Sequence, residues 1–373
     1  MKSIVLIDTD LSQDHRVLKS IYRYGDSVEI IDIRSMYNLP LGWLGWWHYI
    51  WVLLQGFSGF SNLKNIYNLM GYQRLLKEPF GRGLRSYLKW FSLSIRTAHY
   101  IKYKYKSCSS IRFHAHDLYC AFVVSMLPKN LVSNFVYDSH EFQIHRNRKA
   151  GLLRILFESF LERKIVSLAT EIRVVNYALA QAMINLYGKP LESRLCVVYN
   201  DNYEQRVIPS TLAQDVAIVY VGKGTLGRQL EKLTSAEIRK NQIHCLMYFL
   251  GDKPRGLDGF NSWSVFSQDY ESDLREKMKT YRCLMWCCLD SYSFSYKYAT
   301  PNKFFQALAL GIPIIASEGT YLANIVNHYS LGYVLENNEL ECLIKVAKSV
   351  QYEQWLKNIE IFRNQLNKRE IKI

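Results

Sequence analysis

The run Thr300-Pro-Asn-Lys-Phe-Phe-Gln-Ala-Leu-Ala-Leu-Gly-Ile-Pro-Ile-Ile-Ala-Ser317 admits little besides a short helix that stops sharply and feeds a buried strand. Thr300 suits the N-cap, and Pro301 suits the first helical position, where a missing N–H costs nothing. Gly311 ends the helix and Pro313 prevents its continuation. Ile312 to Ala316 is apolar without alternation, as expected of a strand covered on both faces in a parallel sheet. A helix that opens on Pro-Asn-Lys offers free backbone N–H groups and a cation at its positive end, an arrangement suited to an anion.

The rest of the chain repeats this alternation. Strands are predicted over Ile4–Asp8, Val28–Ile33, Ser110–His114, Phe135–Asp138, Ile172–Val175 and Leu195–Tyr199. Helices fall between them, one carrying Val17, Leu18, Ile21 and Tyr22, others over Leu118–Leu127, Leu152–Leu168 and Ala178–Tyr187. A polar interval, Asn200 to Asp215, separates this half from a second series. That series has strands over Ala217–Gly222, His244–Leu250, Cys283–Leu289 and Leu331–Leu335, and a charged helix from about Gln351. Strands separated by helices predict parallel sheets covered on both faces. A chain of 373 residues exceeds what one core usually holds, so two domains are expected: 1–199, with an insertion at 35–112, and 200–350, followed by a terminal segment, 351–373. The eight cysteines form no CxxC pair and read as free thiols in a reducing cytoplasm.

Charge is unevenly spread. From Lys64 to Arg112 eleven Lys/Arg face one acid, Glu78, whereas residues 35–63 carry no Asp, Glu, Lys or Arg. The uncharged stretch holds Trp43, Trp46, Trp47 and Trp51. A Trp-rich segment followed by a basic one suits the surface of an anionic membrane, with the rings at headgroup level and the cations on the lipid charge. Four glycines, His48 and Gln55 count against a spanning helix in residues 41–60, and a buried hairpin is the other alternative. The tryptophans and the bulk of the cations form separate blocks, so no nucleic acid is expected as a partner.

Polar clusters fall at predicted strand ends, where doubly wound sheets bind their ligands. They are Asp8-Thr-Asp10 with Gln13-Asp-His-Arg16, His114-Ala-His-Asp117, and Tyr137-Asp-Ser-His-Glu141. The spacing of these histidines and acids matches no standard zinc pattern, and no metal or other cofactor is expected. In the second half Gly222-Lys-Gly-Thr-Leu-Gly-Arg228 follows a strand. Its glycines let backbone approach a phosphate, and its arginine supplies a bidentate cation. Glu158, Glu162, Arg163 and Lys164 on the long helix read as a solvated face with internal ion pairs.

The segment Pro301–Ser317 resembles the donor-binding signature of the retaining glycosyltransferases with the GT-B fold, an α/β architecture of two Rossmann-like doubly wound domains facing a cleft. The His-Ala-His-Asp and Asp-x-His-Glu segments, Val174-Val-Asn176 and Val198-Tyr-Asn200 are similar to that family too. In two places the chain departs from it: the family's Glu stands as Gln306, and the first Glu of its usual pair falls at Tyr298.

The resemblance implies a metal-independent transfer from a nucleotide diphosphate sugar to a saccharide acceptor. That acceptor would be lipid-linked, in cell-surface polysaccharide synthesis (lipopolysaccharide or capsule) at the cytoplasmic face of the membrane. It implies catalytic roles for His116, His140 and Glu141. Donor contacts would come from Gly222, Arg228, Lys232, Pro301, Asn302, Lys303, Gln306 and Glu318. The terminal helix would cross back to the first domain. A nucleotide-sugar epimerase of the same fold, or a non-catalytic member that binds a membrane or a partner protein, stays open as an alternative.

Overall fold

The computed structural model describes residues 2–8, 15–22, 24, 28–38, 84–144, 152–200, 213, 215–224, 227–233, 243–249, 263–265, 270–336, 340–368 and 370–373. The chain divides into two compact units, Met1–Tyr199 and Asn200–Ile373.

In the first unit β1 (Ser3–Ile7), α1 (His15–Tyr22) and β2 (Val28–Asp32) are followed by α2 (Leu84–Lys104) and β3 (Ile111–His116). Then come α3 (Asp117–Ser125), β4 (Val132–Ser139), α4 (Leu152–Leu168), β5 (Glu171–Val174), α5 (Tyr177–Tyr187) and β6 (Leu195–Val197). The strands form one six-stranded parallel sheet in the order β2-β1-β3-β4-β5-β6. Every residue of β1 is buried, as its unbroken Ile-Val-Leu-Ile run requires. Burying such side chains contributes roughly 1.5–3 kcal/mol each. Strand order reverses between β1 and β3, so the carboxyl ends of these two strands flank a switch point, the usual ligand position of such sheets.

The second unit runs β7 (Val216–Gly222), β8 (His244–Phe249), β9 (Trp263–Val265), α6 (Tyr270–Lys277), β10 (Arg282–Trp286) and α7 (Phe294–Lys297). It continues with α8 (Asn302–Leu310), β11 (Ile314–Ser317), α9 (Tyr321–Tyr329), β12 (Gly332–Leu335), α10 (Leu340–Ala347) and α11 (Gln351–Asn367). Its parallel sheet, in the order β12-β11-β10-β7-β8-β9, has its switch point between β7 and β10. Arg282 is buried within β10, and its guanidinium donates to the carbonyls of Ala213, Ala347 and Ser349 at 2.8–3.1 Å. Satisfied in this way, the buried charge ties the strand to the end of α10.

Several local expectations are corrected. Helix α8 begins at Asn302, with Pro301 as the extended N-cap residue before it, and Thr300 is buried one residue earlier. Proline's fixed φ is compatible with either position, so sequence alone leaves the start ambiguous by one residue. Helix α11 packs on α8 and α10 of its own unit, with Tyr352 and Trp355 in the core around β10. The basic insertion ends in a core helix: α2 buries Phe91, Leu93, Ile95, Ala98 and Ile101 and packs on α3. Its cations find protein partners, Lys104 pairing with Glu29 at 2.8 Å and Arg96 donating to the Tyr37 carbonyl. Glu158 and Glu162 on α4 are buried, not solvated, because this face of α4 meets α3 and β4. The eight cysteines are free thiols. Trp43, Trp46, Trp47, Trp51 and the rest of 41–60 lie outside the described residues, as do Asp10, Gln13, Asp14 and the loop from Gly251. Among the described residues no helix is long and apolar enough to cross a membrane.

Candidate functional site

In the second unit the polar groups gather at the carboxyl ends of β7 and β10. Strand β7 ends at Gly222, whose φ of 131° lies outside what other residues readily adopt. The segment 227–229 is latched onto the end of β10. Asp290 N donates to the Gly227 carbonyl at 2.9 Å, Trp286 Nε1 to the Arg228 carbonyl at 3.0 Å, and Gln229 Nε2 to the Leu289 carbonyl at 3.0 Å. Gly227 is required here twice over: its φ is +87°, and a Cβ would lie 2.5 Å from the Tyr296 ring. The same ring faces the Arg228 guanidinium at 4.9 Å, holding that cation at the strand ends.

Lys303 occupies the first turn of α8 and is buried, with Nζ 3.9 Å from the centre of the Tyr220 ring. Its ammonium has no hydrogen-bond acceptor among the described residues. Burial, reinforced by the nearby Arg228 charge, lowers its pKa to about 7. Two cations beside a helix N-terminus, one of them buried, form a field that an anion would satisfy.

The other expected donor residues are spread around these two. Lys232 ends a short 3-10 turn, Leu230–Lys232, and acts electrostatically on Cys288. Pro301 is partly exposed. Asn302 accepts a hydrogen bond from Asn200 at 2.8 Å. Gln306 is buried and donates through Nε2 to the Tyr270 hydroxyl. Glu318 is exposed in the turn after β11. Tyr220 and Tyr296, which position the two cations, carried no signal in the sequence beyond the place of Tyr220 two residues before Gly222.

In the first unit His114 and His116 lie inside β3, not after it, and His140 directly follows β4. His114 and His116 are two apart on β3 and share one face, their rings stacked 4.5 Å apart. Strand register sets Asp138 of β4 opposite His116. His114 Nε2 lies 3.2 Å from Asp138 Oδ2, and His116 Nδ1 lies 2.9 Å from His140 Nε2. His116 and Asp138 are buried, whereas the His140 side chain is 18% exposed. Asp117, at φ +62°, accepts from the His140 backbone N–H and from Gln143 Nε2, fixing the turn that carries Glu141. Beneath this turn Glu162 accepts from the hydroxyls of Tyr137 and Tyr187, each at 2.7 Å, and burial raises its pKa to about 7. His114 and Asp138 belong to the polar clusters noted in the sequence but were given no role of their own, although a His-x-His pair on a strand already places both rings on one face.

Comparison with known proteins fits this arrangement. Residues 280–371 match the family model of the Glucosyltransferase 3-like C-terminal domain. No curated protein is similar enough in sequence to count as a relative. Among solved structures, the lipopolysaccharide outer core galactosyltransferase WaaB is similar over 98% of this chain and 98% of its own, at 12% identity and a TM-score of 0.55. HepE of Anabaena in complex with UDP-glucose is similar over 98% of this chain and 95% of its own, at 13% identity and a TM-score of 0.52. TarM is similar over 74% of this chain at 11% identity and a TM-score of 0.52, and the chain spans 58% of TarM's length. At such identities the likeness is one of fold, and the fold is GT-B: two parallel-sheet α/β domains.

Proposed function

We propose that this protein is a glycosyltransferase that moves a hexose from a nucleoside diphosphate sugar to a saccharide acceptor. The observation that carries this reading is the pairing of Arg228 with the buried Lys303 at the N-terminus of α8, at the switch point of the second sheet. A departing diphosphate develops charge, and preorganised cations with helix N–H groups stabilise that charge as it forms. In this reading the diphosphate needs no metal of its own. UDP is the natural first candidate, because HepE is known in complex with UDP-glucose at the same fold.

His140 and Glu141 border the acceptor, and His116, buried behind His140, holds it in place. The resemblance to the GT-B family supports retention of anomeric configuration. A lipid-linked acceptor, and a protein held peripherally on the cytoplasmic face of a membrane, fit the tryptophan-rich stretch that precedes α2.

The test is incubation of the full chain with a panel of nucleotide sugars and lipid-linked saccharides, read by mass spectrometry. A product one hexose heavier, formed with release of nucleoside diphosphate, supports the reading. Interconversion of the donor without transfer would identify an epimerase instead, and no turnover or binding of any nucleotide sugar would overturn the proposal.

A further inference from the structure

We propose that His114, His116 and Asp138 form a buried three-ligand site for a divalent transition-metal ion of the zinc type, with His140 beside it. The linear spacing gives no zinc pattern, but strand register supplies what spacing does not. Residues 114 and 116 share one face of β3, Asp138 stands opposite His116 on β4, and the turn after β4 returns His140 to the same place.

The ligand atoms are at metal-site separations. His116 Nδ1 is 2.9 Å from His140 Nε2 and 3.8 Å from Asp138 Oδ2; His114 Nε2 is 3.2 Å from that same oxygen, and His140 Nε2 is 3.9 Å from Asp138 Oδ1. A tetrahedron with metal–ligand bonds of about 2.0–2.1 Å has edges of about 3.3 Å. The candidate ligand atoms of His114, His116 and Asp138 all lie within 4.8 Å of one another. A set of two imidazoles and one carboxylate suits zinc, cobalt or nickel better than magnesium or calcium.

The outer contacts also fit. A ligating histidine is usually oriented through its second ring nitrogen, and His114 Nδ1 lies 3.1 Å from the Tyr24 hydroxyl. Asp117 holds the backbone of His140, so the imidazole beside His116 sits on a fixed turn. The three ligands are all buried, two on β3 and one on β4. An ion held there would be structural, pinning the end of β3 to that of β4.

The experiment uses the full chain, stripped with a chelator and titrated with cobalt(II), then with zinc in competition, with metal content measured by mass spectrometry. The expected result is one cobalt per chain with the intense visible absorption of a tetrahedral site, displaced by zinc, and a rise in thermal midpoint on zinc addition. Tyr24→Phe should weaken zinc binding about tenfold by freeing the His114 ring, and His114→Ala should weaken it further. No stoichiometric uptake by the stripped wild-type chain would overturn the proposal and leave the four groups as a hydrogen-bonded cluster. An octahedral spectrum, or affinity unchanged in both variants, would overturn it equally. These readouts do not depend on turnover, so they stand apart from the glycosyltransferase reading.

Discussion

Lys303 illustrates how one residue can be legible in sequence while its chemistry is not. Its place after Pro-Asn at a helix start marks it as an anion ligand; that its ammonium lies against Tyr220, inside the core, follows only from the packing of α8 on the sheet. The consequence is a pH dependence. With its pKa lowered to about 7, Lys303 is mostly neutral above that pH until an anion restores the charge. Binding a diphosphate therefore takes up a proton, and affinity should fall as pH rises above about 7, by at most tenfold per unit. Calorimetric titration of nucleoside diphosphate across this range should show the slope in the wild type and its loss in Lys303→Met. An equal slope in both would assign the titration elsewhere. Glu162 predicts a trend in stability. A carboxyl raised to about 7 in the fold favours the protonated state, so its stabilisation is complete below the unfolded value and is lost as pH rises through about 7. Glu162→Gln should flatten that part of the stability profile, measured by denaturant unfolding of the full chain. A profile with the same slope in the variant would remove Glu162 as its source.

Among the elements, strands with unbroken apolar runs and helices with clear stops were the most readable. β1, β7 and β11 each lie within a residue or two of the run that predicts them, because a strand buried on both faces has nowhere to put a polar residue, and β10 stops three residues before its run does. Helix α2 was obscured by its own charge. Phe91, Ile95, Ala98 and Ile101 recur at helical spacing, but the lysines and arginines between them read as one basic block. The histidine cluster was obscured differently: its members come from two strands and a turn, and only the register of β3 against β4 brings them together. The segment that presents Arg228 makes the sharpest demand on a single residue. Gly227→Ala should combine a disfavoured φ with a clash against Tyr296 and cost about 1–3 kcal/mol. The thermal midpoint should fall and nucleotide affinity should weaken with it, since Arg228 is adjacent. An unchanged midpoint would mean that the Tyr296 ring yields without cost.

At the scale of the whole molecule, two Rossmann-like units divide the chemistry, cations in the second and histidines in the first. The twofold alternation of strands and helices made this architecture legible before any coordinate. Membrane attachment rests on residues 41–60, outside the described structure, and two cations of α2, Lys104 and Arg96, already have partners within the chain. Vesicle flotation should nonetheless show binding that falls when Trp43, Trp46, Trp47 and Trp51 are replaced together, and only partly with salt. Equal flotation of the wild type and the fourfold variant would remove the tryptophans as an anchor. The central claim, that the second unit holds a nucleotide diphosphate, is tested most directly by calorimetric titration of the full chain with UDP, wild type against Arg228→Ala. The account predicts one site per chain, weakened in the variant by about 2–4 kcal/mol while the fold is retained. Equal affinity in the two proteins, or no heat from UDP or any other nucleoside diphosphate in the wild type, would contradict it.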